Sequence, residues 1–156
     1  MIWFGGIGTY IKSITESHID VGDPANNNVR VNANDVRSAV VSEGANLAVT
    51  QKGRIEFDLN GGQINTDAID NSAGVNMSDY EVNIKILLST LQKNGVIKNE
   101  TSRNKILHDA TDEVTDLVLK NNISQHHLIT MDQYRSIHQP HLIENTISTL
   151  IKDGDL

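Results

Sequence analysis

Residues 39–46 read Ala-Val-Val-Ser-Glu-Gly-Ala-Asn, a short apolar run that passes directly into small and polar residues. This pattern predicts a buried strand over residues 39–41 that ends in a loop. Residues 2–4 (IWF, followed by GGIG) and residues 63–69 (followed by DNSAGV) repeat the pattern. Open parallel α/β sheets bind ligands in loops at the carboxyl ends of their strands. The sequence therefore predicts an α/β fold with candidate sites in these loops.

The first predicted strand begins abruptly, at the second residue. A buried parallel strand normally follows a crossover element, so we expect upstream structure to be missing or to be supplied by another chain. Residues 16–34 carry dense turn signals and are predicted to be an irregular loop, followed by a helical turn over residues 35–37.

The second half of the sequence is predicted to be helical. Ser78 and Glu81 match the S-x-x-E capping box, which predicts a helix that begins at Ser78 and ends at the Asn-Gly pair 94–95. Apolar residues at helical spacing predict a second helix over residues 102–120. Two shorter helices are expected near residues 125–138 and 142–152.

Composition excludes several classes of protein. The 156 residues include 20 acidic and 13 basic side chains, giving a net charge of −7, and no cysteine. The missing thiols exclude cysteine catalysis and thiolate metal sites, and the histidine spacing matches no metal-binding pattern. The acidic balance argues against nucleic-acid partners, and no apolar run is long enough to cross a membrane. We expect a reducing, cytoplasmic location.

Two asparagines are the candidate ligand-binding side chains. Asn46 and Asn71 each follow a predicted strand, and an amide that both donates and accepts suits a carboxamide or a ribose hydroxyl. Gly44, Ala45 and Gly74 let a flat ring approach the backbone. Each asparagine alone is better explained as a turn former, so the hypothesis depends on their joint placement.

The other polar candidates have structural explanations beside the functional ones. Ser78 is explained by capping, although a helix start also attracts a carboxylate. Asp67 and Asp70 are predicted to point to opposite faces of one strand, which would prevent shared acid–base work. The glycine cluster at residues 5–8 lacks the G-x-G-x-x-G spacing of dinucleotide-binding loops, and a flexible turn explains it.

Four blocks of sequence together resemble the large bacterial NAD-specific glutamate dehydrogenases. They are WFGGIGTY at residues 3–10, VSEGANL at 41–47, NTDAIDNSAGV at 65–75 and SDYEVNIKILL at 78–88. The resemblance implies the second half of a Rossmann-like NAD-binding domain over residues 1–92. A helical C-terminal region over residues 93–156 would follow it.

The resemblance also implies a reaction and its binding residues. The reaction is the oxidative deamination of L-glutamate to 2-oxoglutarate and ammonium, with NAD as the cofactor. The implied cofactor-binding residues are Gly44, Ala45, Asn46, Asn71 and Gly74. Ser78 is implied to bind the side-chain carboxylate of the substrate.

No catalytic residue is assigned within the chain. The glycine-rich pyrophosphate loop, the catalytic lysine and the catalytic aspartate of these enzymes lie upstream of the matched segment. We therefore expect a truncated segment that does not turn over alone. The alternative is a non-catalytic subunit or interaction module that completes a separately encoded upstream half or forms a homo-oligomer.

Overall fold

The computed structural model describes residues 1–156 and shows a mixed fold, with short strands in the first part of the chain and helices after it. The strands are β1 (Ile2–Phe4), β2 (Ile11–Lys12), β3 (Val31–Asn32), β4 (Val40–Glu43) and β5 (Gln63–Ile64). The helices are α1 (His18–Val21), α2 (Gln51–Leu59), α3 (Asp67–Asp70), α4 (Ser72–Lys93), α5 (Glu100–Asp109), α6 (Thr111–His138) and α7 (Pro140–Asp153). Short 3-10 helices lie at Pro24–Asn26 and Ala33–Asp35.

A three-stranded parallel sheet organises the first part of the chain. Its strand order is β1-β4-β5, so β4 lies in the centre. Ile2 pairs with Val41, and Val41 also pairs with Ile64. Parallel strands place their carboxyl ends at the same edge of the sheet, so the loops after β1, β4 and β5 lie side by side. A second parallel pair joins β2 to β3.

The core lies between the sheet and α2. It consists of buried apolar side chains from the sheet, α2, β2, a 3-10 helix and the loop before α2, with partly buried neighbours packed against them. The buried members are Ile11, Ala33, Val41, Val49 and Phe57, and the partly buried ones are Ile2, Phe4, Val36 and Ile64. Burial of these apolar surfaces is what holds strands of only two to four residues in place.

The strand predictions are partly confirmed. The strand at residues 2–4 is observed, and the predicted strand at 39–41 is observed one residue later, as β4. The third prediction is wrong after Ile64, because Asp67–Asp70 forms a helical turn instead of extended chain. The carboxylates of this turn accept from N–H groups at the end of β4 and in the loop after it, and an extended strand would have pointed them apart.

The predicted helix start at Ser78 is wrong. Helix α4 begins at Ser72 with Asn71 as its N-cap residue, so Ser78 lies in the second turn. A capping box needs free N–H groups at a helix entry, and here the preceding residues are already helical. The reciprocal capping box is found at Ser17 and Asp20 instead, at the start of α1. The predicted end of this helix at residues 94–95 is confirmed.

The helices after α4 differ in their boundaries. The helix predicted over 102–120 is divided at Ala110, which ends α5, and α6 continues without a break through the predicted helix at 125–138. At the division the Thr111 hydroxyl donates to the Leu107 carbonyl at 3.3 Å. The last predicted helix is confirmed as α7.

Residues 16–34, predicted to be an irregular loop, contain α1, a 3-10 helix and β3. The helical turn predicted at 35–37 is observed earlier, over Ala33–Asp35. Arg30 is buried and holds the segment together by donating to the carbonyls of Thr9 (2.8 Å) and Asp23 (2.5 Å) and to the Asn27 side chain (2.7 Å).

The chain divides into two compact units, Met1–Val118 and Leu119–Leu156. The first contains both sheets and the loops considered below. The second consists of the rest of α6 and α7. The predicted division into a partial NAD-binding domain over residues 1–92 and a helical region over residues 93–156 stays a prediction. None of the helices is both long and apolar enough to span a membrane.

Acid should weaken the fold through Asp23. The backbone N–H of Thr9 donates to its carboxylate, with help from Asn26, and these bonds hold the pKa of Asp23 below the ordinary 3.8. A lowered pKa in the folded state stabilises the fold above the ordinary value, and this stabilisation is lost as the pH falls through the folded-state pKa. We expect Asp23→Asn to reduce the free energy of unfolding, measured with urea at pH 6, and to do so less at pH 3.

Asp58→Asn is the control for this measurement, because Asp58 is exposed on α2. An equal difference between wild type and Asp23→Asn at both pH values would contradict the prediction.

Candidate functional site

Three loops meet at the carboxyl edge of the sheet. The carbonyl of Phe4, the last residue of β1, accepts from the N–H groups of Gly44 (2.8 Å) and Ala45 (3.1 Å). The Tyr10 N–H donates to the Ala48 carbonyl at 2.8 Å. The loop after β4 is thus held against the loop after β1 at both of its ends, and this leaves its tip facing outward.

Asn46 and Asn71 come together at this edge. Asn46 is exposed at the tip of the loop after β4, and Asn71 lies between α3 and α4. The Asn71 side-chain amide donates to Asn46 Oδ1 at 2.9 Å. The two predicted candidates, 25 residues apart in sequence, therefore form one polar pair.

The predicted glycines lie beside this pair, where a side chain would collide. A Cβ on Gly44 would lie 2.7 Å from Cζ2 of Trp3, and one on Gly74 would lie 2.5 Å from Oδ1 of Asn71. Ala45 is buried and so faces the interior. These residues shape the site through close packing of the protein itself, and Gly74 leaves room for the Asn71 amide.

Ser78 shares a helix face with Asn71 but is not part of the polar pair. It is exposed on α4, seven residues after Asn71. Seven residues are close to two helical turns, so the two side chains lie on one face about 10 Å apart along the axis. Because Ser78 is inside the helix, the backbone N–H groups that would make it an anion site are not free there.

A buried ion pair, which the sequence reading missed, supports the loop after β4. Glu43 is 1% exposed and Arg54, from α2, is 6% exposed. Arg54 Nη2 pairs with Glu43 Oε1, and Arg54 Nη1 donates to the Asn65 carbonyl at 2.6 Å. Glu43 Oε2 accepts from the Ala48 N–H at 2.8 Å. The pair joins the end of β4, its loop, α2 and the chain after β5.

Asp67 and Asp70 occupy opposite ends of α3; Asp67 contacts the loop after β4, and Asp70 contacts the end of β4. The prediction that they point to opposite faces is wrong, because residues three apart on a helical turn lie on the same face. Asp67 Oδ2 accepts from the Leu47 N–H at 3.1 Å. Asp70 Oδ2 accepts from the Ser42 hydroxyl at 2.8 Å and the Glu43 N–H at 3.2 Å.

Leu47 has a backbone conformation that is unusual for its residue type. Its φ is 61°, in the left-handed region that non-glycine residues rarely adopt. Its carbonyl accepts from the Thr9 hydroxyl at 2.7 Å while its N–H is held by Asp67. The contacts on both sides maintain the strained residue next to Asn46. No sequence signal marks a leucine for this conformation.

The amide pair has the donor and acceptor groups that a carboxamide needs. The bond between the two side chains uses the Asn71 amide nitrogen and the Asn46 oxygen. The Asn46 NH2 group and the Asn71 carbonyl oxygen therefore remain for a ligand, as one donor group beside one acceptor. A nicotinamide carboxamide offers the complementary acceptor and donor, so the residues present fit that group.

Comparison with known proteins identifies the family to which the chain belongs. A family model described as bacterial NAD-glutamate dehydrogenase, catalytic domain, matches residues 1–132. The chain belongs to this family. It is 57% identical over 129 residues to the NAD-specific glutamate dehydrogenase of Mycobacterium tuberculosis, and 50% identical over 136 residues to that of Pseudomonas aeruginosa. These alignments cover 83% and 87% of the chain but only 8% of each relative.

Loss of one partner of the buried ion pair should strongly destabilise the first unit. Arg54→Met leaves the Glu43 charge buried without compensation, and we expect the free energy of unfolding to fall by about 3–5 kcal/mol. The double variant Glu43→Gln with Arg54→Met should recover part of this loss, because it removes both charges. Urea unfolding followed by circular dichroism measures both effects.

Lys85→Met is the matched control, since Lys85 pairs with Glu81 on the exposed surface of α4. Breaking an exposed pair should change the free energy of unfolding by no more than about 0.5 kcal/mol. Equal effects of Arg54→Met and Lys85→Met would contradict the structural role of the buried pair.

Proposed function

We propose that this chain supplies the nicotinamide side of an NAD-specific glutamate dehydrogenase. In this proposal residues 1–92 are the second half of a Rossmann-like NAD-binding domain. The single observation that carries it is the bond between Asn46 and Asn71 at the carboxyl edge of a parallel sheet. The relatives are about twelve times longer than the matched segment, and their names support the same reaction.

Each site residue has a defined task in this proposal. NAD, when bound, would supply the hydride acceptor for the conversion of L-glutamate to 2-oxoglutarate. Asn71 accepts from the carboxamide of the nicotinamide through Oδ1, and Asn46 donates to the cofactor through Nδ2. The backbone at Gly44, Ala45 and Gly74 lines the space through which the nicotinamide ring approaches the two asparagines.

Ser78 is proposed to bind the substrate. Its hydroxyl donates to the side-chain carboxylate of L-glutamate. Its position on the same face of α4 as Asn71 supports this assignment, because a substrate held there lies along the helix from the nicotinamide.

The isolated chain should bind NADH weakly and should not turn over. In a titration of the 15N-labelled chain with NADH, we expect shifts in the backbone N–H signals of residues 44–47 and 71–75. Asn71→Ala removes a group that both donates and accepts, so the affinity should fall about three- to tenfold. Asn121→Ala, an exposed asparagine on α6, is the control.

Two results would contradict this proposal. One is a titration in which NADH shifts no signal of residues 44–47 and 71–75, whether or not it shifts signals elsewhere in the chain. The other concerns the truncated segment: NADH production from glutamate by the purified chain, abolished in Asn71→Ala, would show that the chain turns over alone.

A second candidate is an interaction module that completes an upstream half, and the free edge of β1 favours it. β1 pairs only with β4, and Trp3 is 56% exposed. The Phe4 carbonyl bonds toward β4, so the backbone N–H and C=O of the neighbouring Trp3 point to the open edge. An added parallel strand would pair with these groups.

Backbone pairing at this edge can be tested by co-expression with the rest of the catalytic region of a full-length relative. Trp3→Pro removes the N–H donor at the open edge and should prevent the complex, as measured by size-exclusion chromatography. Trp3→Phe keeps both the N–H and a ring, and should preserve it. If wild type forms no complex, or if Trp3→Pro forms one as well as Trp3→Phe, the interaction through β1 is wrong.

A further inference from the structure

We propose that Asp67 and Asp70 are positioning residues that use the short helix α3 to fix Asn71 against Asn46. This inference rests on the proposed nicotinamide site and adds to it a reason why the two amides stay together. It concerns residues that bind no ligand themselves and act through the asparagine pair.

Asp70, the residue before Asn71, is hydrogen-bonded to the end of β4. Its Oδ2 accepts from the Ser42 hydroxyl (2.8 Å) and from the Glu43 N–H (3.2 Å), and its Oδ1 accepts from the Asn65 side-chain amide (3.2 Å). One carboxylate thus holds β4 and the chain after β5. Because Asn71 is the next residue, its position relative to β4 follows from these bonds.

Asp67 acts on the other member of the pair. Its Oδ2 accepts from the N–H of Leu47, the residue after Asn46, at 3.1 Å. Leu47 is 64% exposed and has φ of 61°, so burial does not hold its backbone in this conformation. The bond to Asp67 and the Thr9 bond to the Leu47 carbonyl supply the restraint. Asp67 therefore fixes the loop tip that carries Asn46.

Helix α3 connects the bonds of Asp67 with those of Asp70. Asp67 is its first residue, Asp70 its last, and Asn71 follows as its C-cap residue. The Asn71 N–H donates to the Asp67 carbonyl at 2.8 Å, which closes the turn. The two asparagines are thus joined through a single rigid turn. A displacement of about 1 Å would break the 2.9 Å amide bond.

The bonds that occupy these carboxylates distinguish positioning from catalysis. Asp67 Oδ1 accepts from the Ala68 N–H at 3.0 Å, so both oxygens of each residue accept internal hydrogen bonds. A general base needs an oxygen directed at the substrate proton. The carboxylate oxygens of Asp67 and Asp70 face backbone and side-chain donors of the protein, so they position those groups instead.

The exchange of the Asn71 side-chain amide protons with water, measured by NMR, tests the proposal. In wild type the bond to Asn46 should slow this exchange. Asp67→Ala and Asp70→Ala should each accelerate it by roughly tenfold under native conditions, since one hydrogen bond to a charged acceptor is worth about 1.5 kcal/mol. Asp70→Asn keeps an acceptor for Ser42 and Glu43 and should stay within about threefold of wild type.

Asp58→Ala, an exposed aspartate on α2, is the control and should leave Asn71 exchange unchanged. A purely structural role would lower the urea midpoint of Asp67→Ala without changing Asn71 exchange in the folded protein, and this result would overturn the proposal. If Asp70→Ala does not fold, Asp67→Ala and Asp70→Asn decide the question. Unfolding of both alanine variants would also overturn it, because α3 would then serve stability alone.

The NADH titration separates this inference from the proposed function. If wild type binds no NADH but Asn71 exchange responds to Asp67→Ala, the positioning role holds and the proposed cofactor site is wrong. If NADH binds at residues 71–75 and Asn71 exchange ignores both alanine variants, the cofactor site holds and the positioning role is wrong. When both hold, NADH affinity and Asn71 protection should fall together in Asp67→Ala.

Discussion

The buried pair of Glu43 and Arg54 is the interaction on which the first unit depends. Glu43 is the last residue of the central strand, so its charge enters the interior at the place where the sheet gives way to loops. A buried carboxylate is tolerated only with a compensating charge and with its remaining lone pairs satisfied. Arg54 supplies the charge, and the Ala48 N–H satisfies the second oxygen.

These bonds define where the candidate site begins and ends. Glu43 starts the loop after β4 and also accepts from Ala48 at its far end, so one side chain closes the loop on itself. Asn46 lies in the middle of that closed loop and is held outward. Replacing a buried ion pair by apolar residues often costs no stability, so a gain in stability does not explain why Glu43 and Arg54 are paired here. Its effect is the geometry of the loop.

The sequence predicts the elements of this arrangement better than their contacts. Apolar runs that end in small residues mark β1 and β4, because side-chain burial is a local pattern. The same pattern predicts Asn46 and Asn71 as candidates. It does not indicate the role of Arg54, since an arginine in a polar helix is normally solvated. It predicts the wrong geometry for Asp67 and Asp70, because Ile69 and its neighbours also fit a strand. At Ser78 the capping-box residues were present, but the helix had already begun six residues earlier.

What the sequence could not reveal is how the acidic residues are used. In the first 70 residues, carboxylates repeatedly accept from backbone N–H groups, most of them in loops, where each such bond replaces one that regular structure would have supplied. The pairs are Glu16 with Ser13, Asp20 with Ser17, Asp23 with Thr9, Glu43 with Ala48, Glu56 with Ile14, Asp67 with Leu47 and Asp70 with Glu43. Charge-assisted bonds of this kind are stronger than neutral ones.

This use of carboxylates explains how strands of two to four residues can support ordered loops. The chain after α4 is helical, and its backbone N–H groups are satisfied within the helices, so the acids there, such as Asp112 and Glu113, lie exposed on the surface. The acidic side chains behind the net charge of −7 thus fall into two physically different groups, those that accept from backbone N–H groups and those exposed on the helices. Only the first group shapes the loops that carry Asn46 and Asn71, and composition alone cannot separate it from the second.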